Sequence, residues 1–354
     1  MSNQSLADQV RSDIQSLQSS LRDLQDSVRL SAVRDSVEDM QTSVNGMDQR
    51  IASLRELGYA FEKELERKAE DFAAQWAELV PKLESQIEKE SQALSRSLRP
   101  IEAQIVDLAG KSGAPAALKP LVNQAKSKVE ALEGRVEAAE RSIRGGYDQL
   151  YSDVSKVKGH LYKLEWMMEE LGEASFDMLA TESGIMAVKA VWAKDGKERK
   201  DDPEGVLFLT DQRLIFEQKE KIATKKVLFV ATEKKMVQET LWETPVALVE
   251  EVKARKEGFM NKDDFIDLQL GDGADYDELT LHIWQPADDW VVLLNRAKAK
   301  EFDATRAIEI SAEEAEKVKS APTECPSCGG AIDQVILRGM DSITCEFCGA
   351  VIRL

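Results

Sequence analysis

Apolar side chains recur at alternating steps of three and four residues through most of the chain before Leu171. An apolar stripe sustained over more than three or four such heptads is typical of a coiled coil, and it can be buried only against another helix. The pattern therefore predicts a long helical rod. In its second half the stripe comprises Leu118, Val122, Ala125, Val129, Leu132, Val136, Ala139, Ile143, Tyr147, Leu150, Val154, Val157, Leu161, Leu164, Met168 and Leu171.

Glycine and proline divide this region into two predicted helices. The heptad phase survives Pro81 and Pro100, so residues 1–109 are predicted to form one long coiled-coil helix with kinks. Residues 110–116 hold two glycines and a proline and are predicted to form a hairpin turn. A second coiled-coil helix is expected over 117–175.

The two predicted helices differ in length. At 1.5 Å per residue, the second helix would be about 80 Å long and would reach only to about residue 55 of the first. Residues 1–50 would then carry an apolar stripe that the second helix does not cover. They must pair with another chain or fold back as a third helix, and a homo-oligomer built through the rod is the expectation.

Between residues 176 and 301 the apolar period changes to two, with turn residues between the runs. Six to eight consecutive strands and a closing helix predict a bent antiparallel sheet or open barrel capped by that helix, so the fold class is multidomain α+β. The predicted strands are Gly184–Ala193, Gly205–Thr210, Arg213–Gln218, Lys226–Thr232, Val237–Thr244, 246–254, Phe265–Leu270 and Leu279–Trp284, and the helix is Pro286–Lys300.

Two stretches of this region resemble a known family. The run from Gly205 to Phe216, GVLFLTDQRLIF, is similar to a strand pair of bacterial pleckstrin-homology-like (PH-like) and GRAM-like domains. The run from Pro245 to Val252, PVALVEEV, resembles a later strand, and the helix carrying Trp290 adds to the likeness. The resemblance implies a PH-like antiparallel barrel that docks lipid or protein and has no catalytic activity.

Lysines and arginines gather in two loops of the predicted sheet. Related domains hold phosphorylated headgroups with basic residues near the first loop, because Lys and Arg supply charge and directed donors. Here neighbouring acidic residues largely cancel the positive charge of the first loop. A solvated loop and a headgroup site therefore both stay open as interpretations. The basic residues are Lys194, Lys197, Arg199, Lys200, Lys219, Lys221, Lys225 and Lys226.

The chain ends in a strong chemical motif after an acidic linker at 302–323. Cys325 and Cys328 form one C-x-x-C-G pair, and Cys345 and Cys348 form a second. Two such pairs at this spacing are typical of a zinc ribbon with four thiolate ligands, here predicted over 324–354. Four protein ligands leave no position for water, so Zn²⁺ is predicted to be structural rather than catalytic.

The partner of the predicted ribbon is left open by the sequence. Arg338 and Arg353 are almost the only cations near it, which favours a protein partner over nucleic acid. The net charge of −18 also disfavours nucleic acid, since phosphate must be neutralised by Lys and Arg.

Nothing in the sequence indicates an enzyme. His160 and His282 are the only histidines, and neither stands in a catalytic motif. The acidic residues around the predicted turns at 263–289 favour a solvated rim over a calcium or catalytic site.

The sequence therefore predicts a non-enzymatic, oligomeric coiled-coil scaffold. Its PH-like domain would dock to a membrane surface or a partner, and its ribbon to a second protein, as in bacterial membrane-stress systems. A soluble protein-binding adaptor without a membrane role is the alternative, and a nucleic-acid-associated factor is less favoured. No signal-peptide pattern or membrane-spanning run is present, so the expected location is cytoplasmic, with possible peripheral membrane contact.

Overall fold

The computed structural model describes residues 3–227, 230–311 and 322–354, and within them the side chains outside 3–5 and 222–234. The chain divides into two compact units. The first unit comprises Met1–Asp48 and Lys68–Lys158. The second comprises Gln49–Arg67 and Gly159–Leu354.

Six helices occupy the N-terminal half of the chain. They are α1 (Asn3–Ser27), α2 (Ser31–Asn45), α3 (Met47–Glu56), α4 (Leu65–Gly110), α5 (Pro115–Gly145) and α6 (Asp148–Gly172). The turn between α4 and α5 falls where the glycines and Pro115 predict it. Helix α4 passes through both of its internal prolines without ending.

In the first unit, α4 lies antiparallel to α1 and α2. The Gln25 side chain donates a hydrogen bond to Glu102 at 2.9 Å, and Arg34 forms an ion pair with Glu88 at 3.1 Å. Residue numbers rise along one helix as they fall along the other, which fixes the opposite directions of the two segments.

The N-terminal helices run parallel to α5 and the start of α6. Lys119 forms an ion pair with Asp13 at 2.6 Å, and the Tyr147 hydroxyl lies 3.0 Å from that of Ser36. Here the residue numbers rise together along both segments. The first unit is thus a bundle of three helical segments. The third segment consists of α1 and α2, which we call the N-terminal arm.

The apolar stripe of the arm is buried inside this single chain. A second chain is therefore not needed to cover this stripe, because α1 and α2 fold back as a third helical segment, which is the alternative that the sequence also allowed. Supercoiling of the bundle and the oligomeric state both stay predictions. The buried stripe comprises Val10, Leu17, Leu21, Leu24, Val28, Val33, Val37, Met40 and Val44.

The prediction of one continuous helix over 1–109 is wrong. The helical run is interrupted briefly near Leu30 and Gly46, and it ends at Glu56. Residues 57–64 then form a loop before α4 begins at Leu65.

A network around Arg55 stabilises this loop. The Arg55 guanidinium donates hydrogen bonds to the main-chain oxygens of Tyr59 at 2.8 Å and Phe61 at 2.6 Å. Gly58 turns the chain with a φ of 97°, and both aromatic rings are buried. Leu57, Phe61 and Leu65 are spaced by four, so the sequence mimics a continuing stripe although Phe61 lies in a loop.

The second unit contains a seven-stranded antiparallel sheet in the order β4-β3-β2-β1-β7-β6-β5. In the described part of the chain no ladder joins β4 to β5, so closure into a barrel stays a prediction. The strands are β1 (Gly184–Trp192), β2 (Glu204–Thr210), β3 (Arg213–Val227), β4 (Val230–Pro245), β5 (Val249–Glu257), β6 (Asp263–Leu270) and β7 (Glu278–Ile283).

Strands β3 and β4 form one long hairpin, which corrects the prediction of separate strands at Lys226–Thr232 and Val237–Thr244. Their pairing extends from Arg213 opposite Pro245 to Val227 opposite Val230. The polar run between the two predicted strands contains no glycine or proline, so it continues the ladder. Residues 228–229 lie outside the described residues.

Helix α7 (Ala287–Lys298) packs on β5 and β6 and buries one apolar face. Trp290 is fully buried, and its indole N–H donates to the Gln285 side chain at 2.9 Å. The predicted helix at this position is therefore present, with Pro286 as its N-terminal cap residue.

Candidate metal centre and its attachment

The two cysteine pairs meet in one cluster. The four Sγ atoms lie within 4.8 Å of one another, with Cys325 at 3.7 Å from Cys348 and Cys328 at 3.7 Å from Cys345. Cys325 and Cys345 are buried, whereas the other two are exposed. The structure thus brings together all four residues that the sequence identifies as ligands.

Tight turns built on glycine place the sulfurs. Gly329 and Gly349 both have a φ of 72°, and their N–H groups donate to the main-chain oxygens of Cys325 and Cys345 at 2.8 Å. A residue with a Cβ would be strained at this φ, which explains the glycine after each pair.

The pKa values of two thiols in the cluster are shifted in opposite directions. Burial disfavours the Cys325 thiolate, but N–H groups of Ser327 and Cys328 outweigh it and lower the pKa of Cys325 to about 6. At Cys328 the Gly330 N–H favours the thiolate and so lowers the pKa, but the neighbouring sulfurs favour the protonated thiol. Together with burial the sulfurs prevail, and the pKa of Cys328 is raised to about 12. Binding of a metal ion would require all four thiols to be deprotonated, and the charge of the ion would stabilise the four thiolates.

The cysteine module contains a short hairpin, in which β8 (Ser342–Thr344) pairs with β9 (Val351–Arg353). Ile343 and Ile352 are buried against the cysteines. The 335–337 segment leads into a contact between Arg338 and Gln212 of the large sheet.

This contact joins the cysteine module to the turn between β2 and β3. The Gln212 side chain donates to the main-chain oxygen of Arg338 at 2.8 Å and accepts from its N–H at 2.5 Å. Gly339 comes so close to Ala180 that a Cβ there would lie 2.7 Å from its main-chain nitrogen. The amide of Gln212 thus pairs with Arg338 as a second strand would.

Two arginines converge on Asp211 in the same turn. Arg338 contacts the Asp211 carboxylate and also donates to the Thr181 hydroxyl at 2.8 Å, and Arg306 lies 2.8 Å from the same carboxylate. Burial raises the pKa of Asp211 above its ordinary value despite both arginines. Taking the Asp211 carboxylate and the two guanidinium groups out of water offsets part of their mutual attraction.

The motif that carries the family resemblance is a buried structural network. Arg213 binds the Glu182 carboxylate at 2.6 Å and Glu243 at 2.6 Å, and the Thr210 hydroxyl donates to Glu182 at 2.6 Å. Glu182 is missing from the predicted residues, because it lies outside the recognised run. Its one sequence signal is a carboxylate just before a strongly apolar strand.

The basic residues of the first loop do not converge on one point. Arg199 pairs with Asp195, and Lys194 lies 4.9 Å above the Trp192 ring. Lys197 and Lys200 are exposed. The described side chains of this loop form no headgroup cradle, and the choice between a solvated loop and a headgroup site stays a prediction.

The second basic group is divided as well. Lys219 is held between Glu170 at 2.7 Å and Glu173 at 2.8 Å, near the end of α6. Lys221 is exposed, and the side chains of Lys225 and Lys226 lie outside the described residues.

The remaining titratable candidates are not gathered into a site. Among the described residues, the four cysteines form the one cluster of three or more potential metal ligands. His160 lies 2.9 Å from Glu62, and His282 stacks between Phe265 and Trp284. Catalytic function thus stays untested.

Comparisons with known proteins give similarities to PH domains. Neither a protein-family model nor a curated protein matches the chain. A PH domain from Shewanella amazonensis SB2B is 15% identical, with 34% of this chain and 88% of that chain covered and a TM-score of 0.22. A PH-domain protein of the DUF1696 family from Shewanella loihica is also 15% identical, covering 38% and 90%, with a TM-score of 0.21.

A longer match is the DH/PH fragment of PDZ-RhoGEF in complex with activated RhoA. It is 11% identical and covers 81% of this chain and 94% of that chain, with a TM-score of 0.27. At such scores these likenesses carry no argument about activity, and the proposals below rest on the chain's own residues. No helix in the described residues is long and apolar enough to cross a membrane.

Proposed function

We propose that the four cysteines hold one structural Zn²⁺. The convergence of four sulfurs within 4.8 Å supports this, since tetrahedral thiolate coordination is the preferred structural zinc site. A module with so small a core also needs the metal to fold. With four cysteine ligands the ion would have no open coordination position, so its role would be structural. It would stabilise the fold of the ribbon that carries Arg338.

Metal content tests this assignment. Purified protein is expected to carry about one zinc per chain, and Cys345→Ser is expected to lose it. Ser327→Ala, within the first pair but without a ligand atom, is the matched control. Zinc retention by Cys345→Ser at the wild-type level would contradict the site.

We propose that the protein is a non-enzymatic scaffold that docks through a PH-like module. The observation that carries this is the seven-stranded antiparallel sheet closed off by α7, to which the cysteine module is fastened. The module would bind a membrane surface or a protein, and the ribbon a second protein, in a bacterial membrane-stress system. A GRAM-like relationship, homo-oligomerisation and a cytoplasmic location belong to the same proposal.

Vesicle flotation tests the membrane half of this proposal. The full chain is expected to float with vesicles of phosphatidylcholine and about 30 mol% phosphatidylserine. Absence of flotation at low and physiological salt would remove the membrane role.

A soluble adaptor is the second candidate. It is favoured by the burial of the N-terminal apolar stripe within one chain, which leaves no need for self-assembly. Affinity capture with wild type and Cys345→Ser distinguishes the two: an adaptor that works through the ribbon loses its protein partner in the variant. Unchanged partners would contradict a docking role for the ribbon.

A further inference from the structure

The hairpin between β5 and β6 carries two adjacent, solvent-exposed apolar side chains. Phe259 is 84% exposed and Met260 is 74% exposed. Single exposed apolar side chains are common, whereas contiguous ones mark sites of interaction with a protein or a membrane. We define Gly258–Lys262 as the β5–β6 tip.

The backbone of the tip holds these side chains outward. Gly258 has a φ of 77°, and Met260 and Asn261 have φ values of 61° and 53°. Left-handed conformations are uncommon for residues with a Cβ. Asp263 packs against Gly258 so closely that a Cβ there would overlap its carboxylate. Gly258 and its close contact with Asp263 therefore fix the start of the turn.

Cations and an exposed tryptophan lie beside the tip. Lys262 makes no ion pair within the described part of the chain, and the Lys256 ammonium lies 3.4 Å from the Asp264 carboxylate. Trp284, which is 56% exposed, lines the same shallow depression as Lys262. An apolar projection with lysines and a tryptophan at its base matches the layers of a bilayer interface, from acyl chains to headgroups.

We propose that the β5–β6 tip inserts Phe259 and Met260 into the interfacial region of a phospholipid bilayer, with Lys262 and Trp284 at headgroup level. The basic first loop to which the family resemblance points lies next to this surface, because its Glu198 contacts His282 and Arg255 donates to the main-chain oxygen of Gly196 at 3.3 Å. The tip itself belongs to a different hairpin. The inference rests on the membrane half of the proposed function.

The charge of the protein sets the expected lipid dependence. A net charge of −18 opposes long-range attraction to an anionic surface, and Asp263 and Asp264 flank the tip. Insertion of apolar surface must then supply most of the affinity. Replacing phosphatidylserine by phosphatidylcholine is accordingly expected to change binding less than removing the two apolar side chains does.

The test is flotation of the full chain with vesicles of phosphatidylcholine containing about 30 mol% phosphatidylserine, or none. Phe259→Ser/Met260→Ser is expected to lower the partition coefficient at least about tenfold. Leu57→Ser/Val292→Ser is the matched control, because those side chains are 61% and 56% exposed elsewhere in the same unit. The control is expected to float like wild type.

The outcomes separate this inference from the proposed function. Wild type that does not float overturns both the inference and the membrane half of the proposed function. Wild type and tip variant that float equally overturn the tip alone. A change in solution mass of the tip variant by light scattering would instead make the tip a contact between two copies, and would also overturn the inference.

A second measurement does not depend on loss of binding. Phe259→Trp should retain flotation and gain emission that lipids with brominated acyl chains quench, relative to wild type with its native tryptophans. Flotation without added quenching would show that the tip stays in water, which would contradict the inference.

Discussion

Arg213 and Glu182 form an ion pair in which neither side chain reaches water. The Glu182 side chain is 0% exposed and that of Arg213 is 7% exposed. When only one partner of such a pair is replaced, the buried carboxylate keeps its desolvation cost without the compensating charge. Replacing one residue therefore destabilises the protein more than replacing both with apolar residues. The pair also joins the segment before β1 to the start of β3.

Arg213→Met is expected to lower the free energy of unfolding by about 3–5 kcal/mol, because it leaves Glu182 buried and unpaired. Arg199→Met breaks an exposed pair with Asp195 and should cost less than about 1 kcal/mol. Urea denaturation of both variants measures the difference. Equal midpoints would show that the buried network is dispensable.

Asp267 offers a pH-dependent test at the same scale. Burial opposes its ionisation, but hydrogen bonds from Arg255 and Thr280 outweigh it and hold the pKa of the carboxyl below its usual range. A depressed pKa contributes stability above the unfolded value of about 3.9, which is lost as pH falls through the folded value.

Asp267→Asn is therefore expected to lower the melting temperature at pH 6 and to lose part of this difference toward pH 3. Asp272→Asn, in the exposed loop between β6 and β7, is the control. A difference from wild type that is constant over this range would argue against the ionic contribution.

At the scale of elements, the ribbon is fastened to the sheet by the side chain of Gln212. Its amide forms two hydrogen bonds with the main chain of Arg338, and one such bond contributes about 0.5–1.5 kcal/mol. The attachment is local, so its loss should free the ribbon without unfolding the sheet.

Gln212→Ala is expected to raise hydrogen exchange in 335–340 about tenfold or more while exchange in β1 and β2 stays unchanged. Gln269→Ala, which removes an exposed side chain in β6, should have no such effect. Zinc removal by a chelator should reproduce the Gln212→Ala result. Unchanged exchange in 335–340 would show that other contacts hold the ribbon.

At the scale of the whole molecule, the bundle of the first unit decides whether a second chain is needed. Val33 in α2 is 0% exposed within one chain. If the stripe is buried in this way in solution, a charge at Val33 unfolds the arm of a monomer. If two chains shared the stripe, the same charge would separate them.

Val33→Asp is expected to lower the free energy of unfolding by about 3 kcal/mol or more and to leave the mass measured by light scattering at the wild-type value. Ala32→Asp, at the neighbouring exposed position, should change neither quantity. A wild-type dimer that Val33→Asp converts to monomer would restore the predicted oligomeric rod.

The sequence by itself determined the local features. Heptad spacing indicated helices, alternation indicated strands, and C-x-x-C-G spacing identified the four cysteines and their turns, because each depends on residues close in the chain. The tertiary structure alone decided the rest. The loop at 57–64 carries Phe61 at a helical spacing, and only the contacts of Arg55 reveal the turn. Glu182 and Gln212 find their partners 31 and 126 residues away, which no local pattern can indicate.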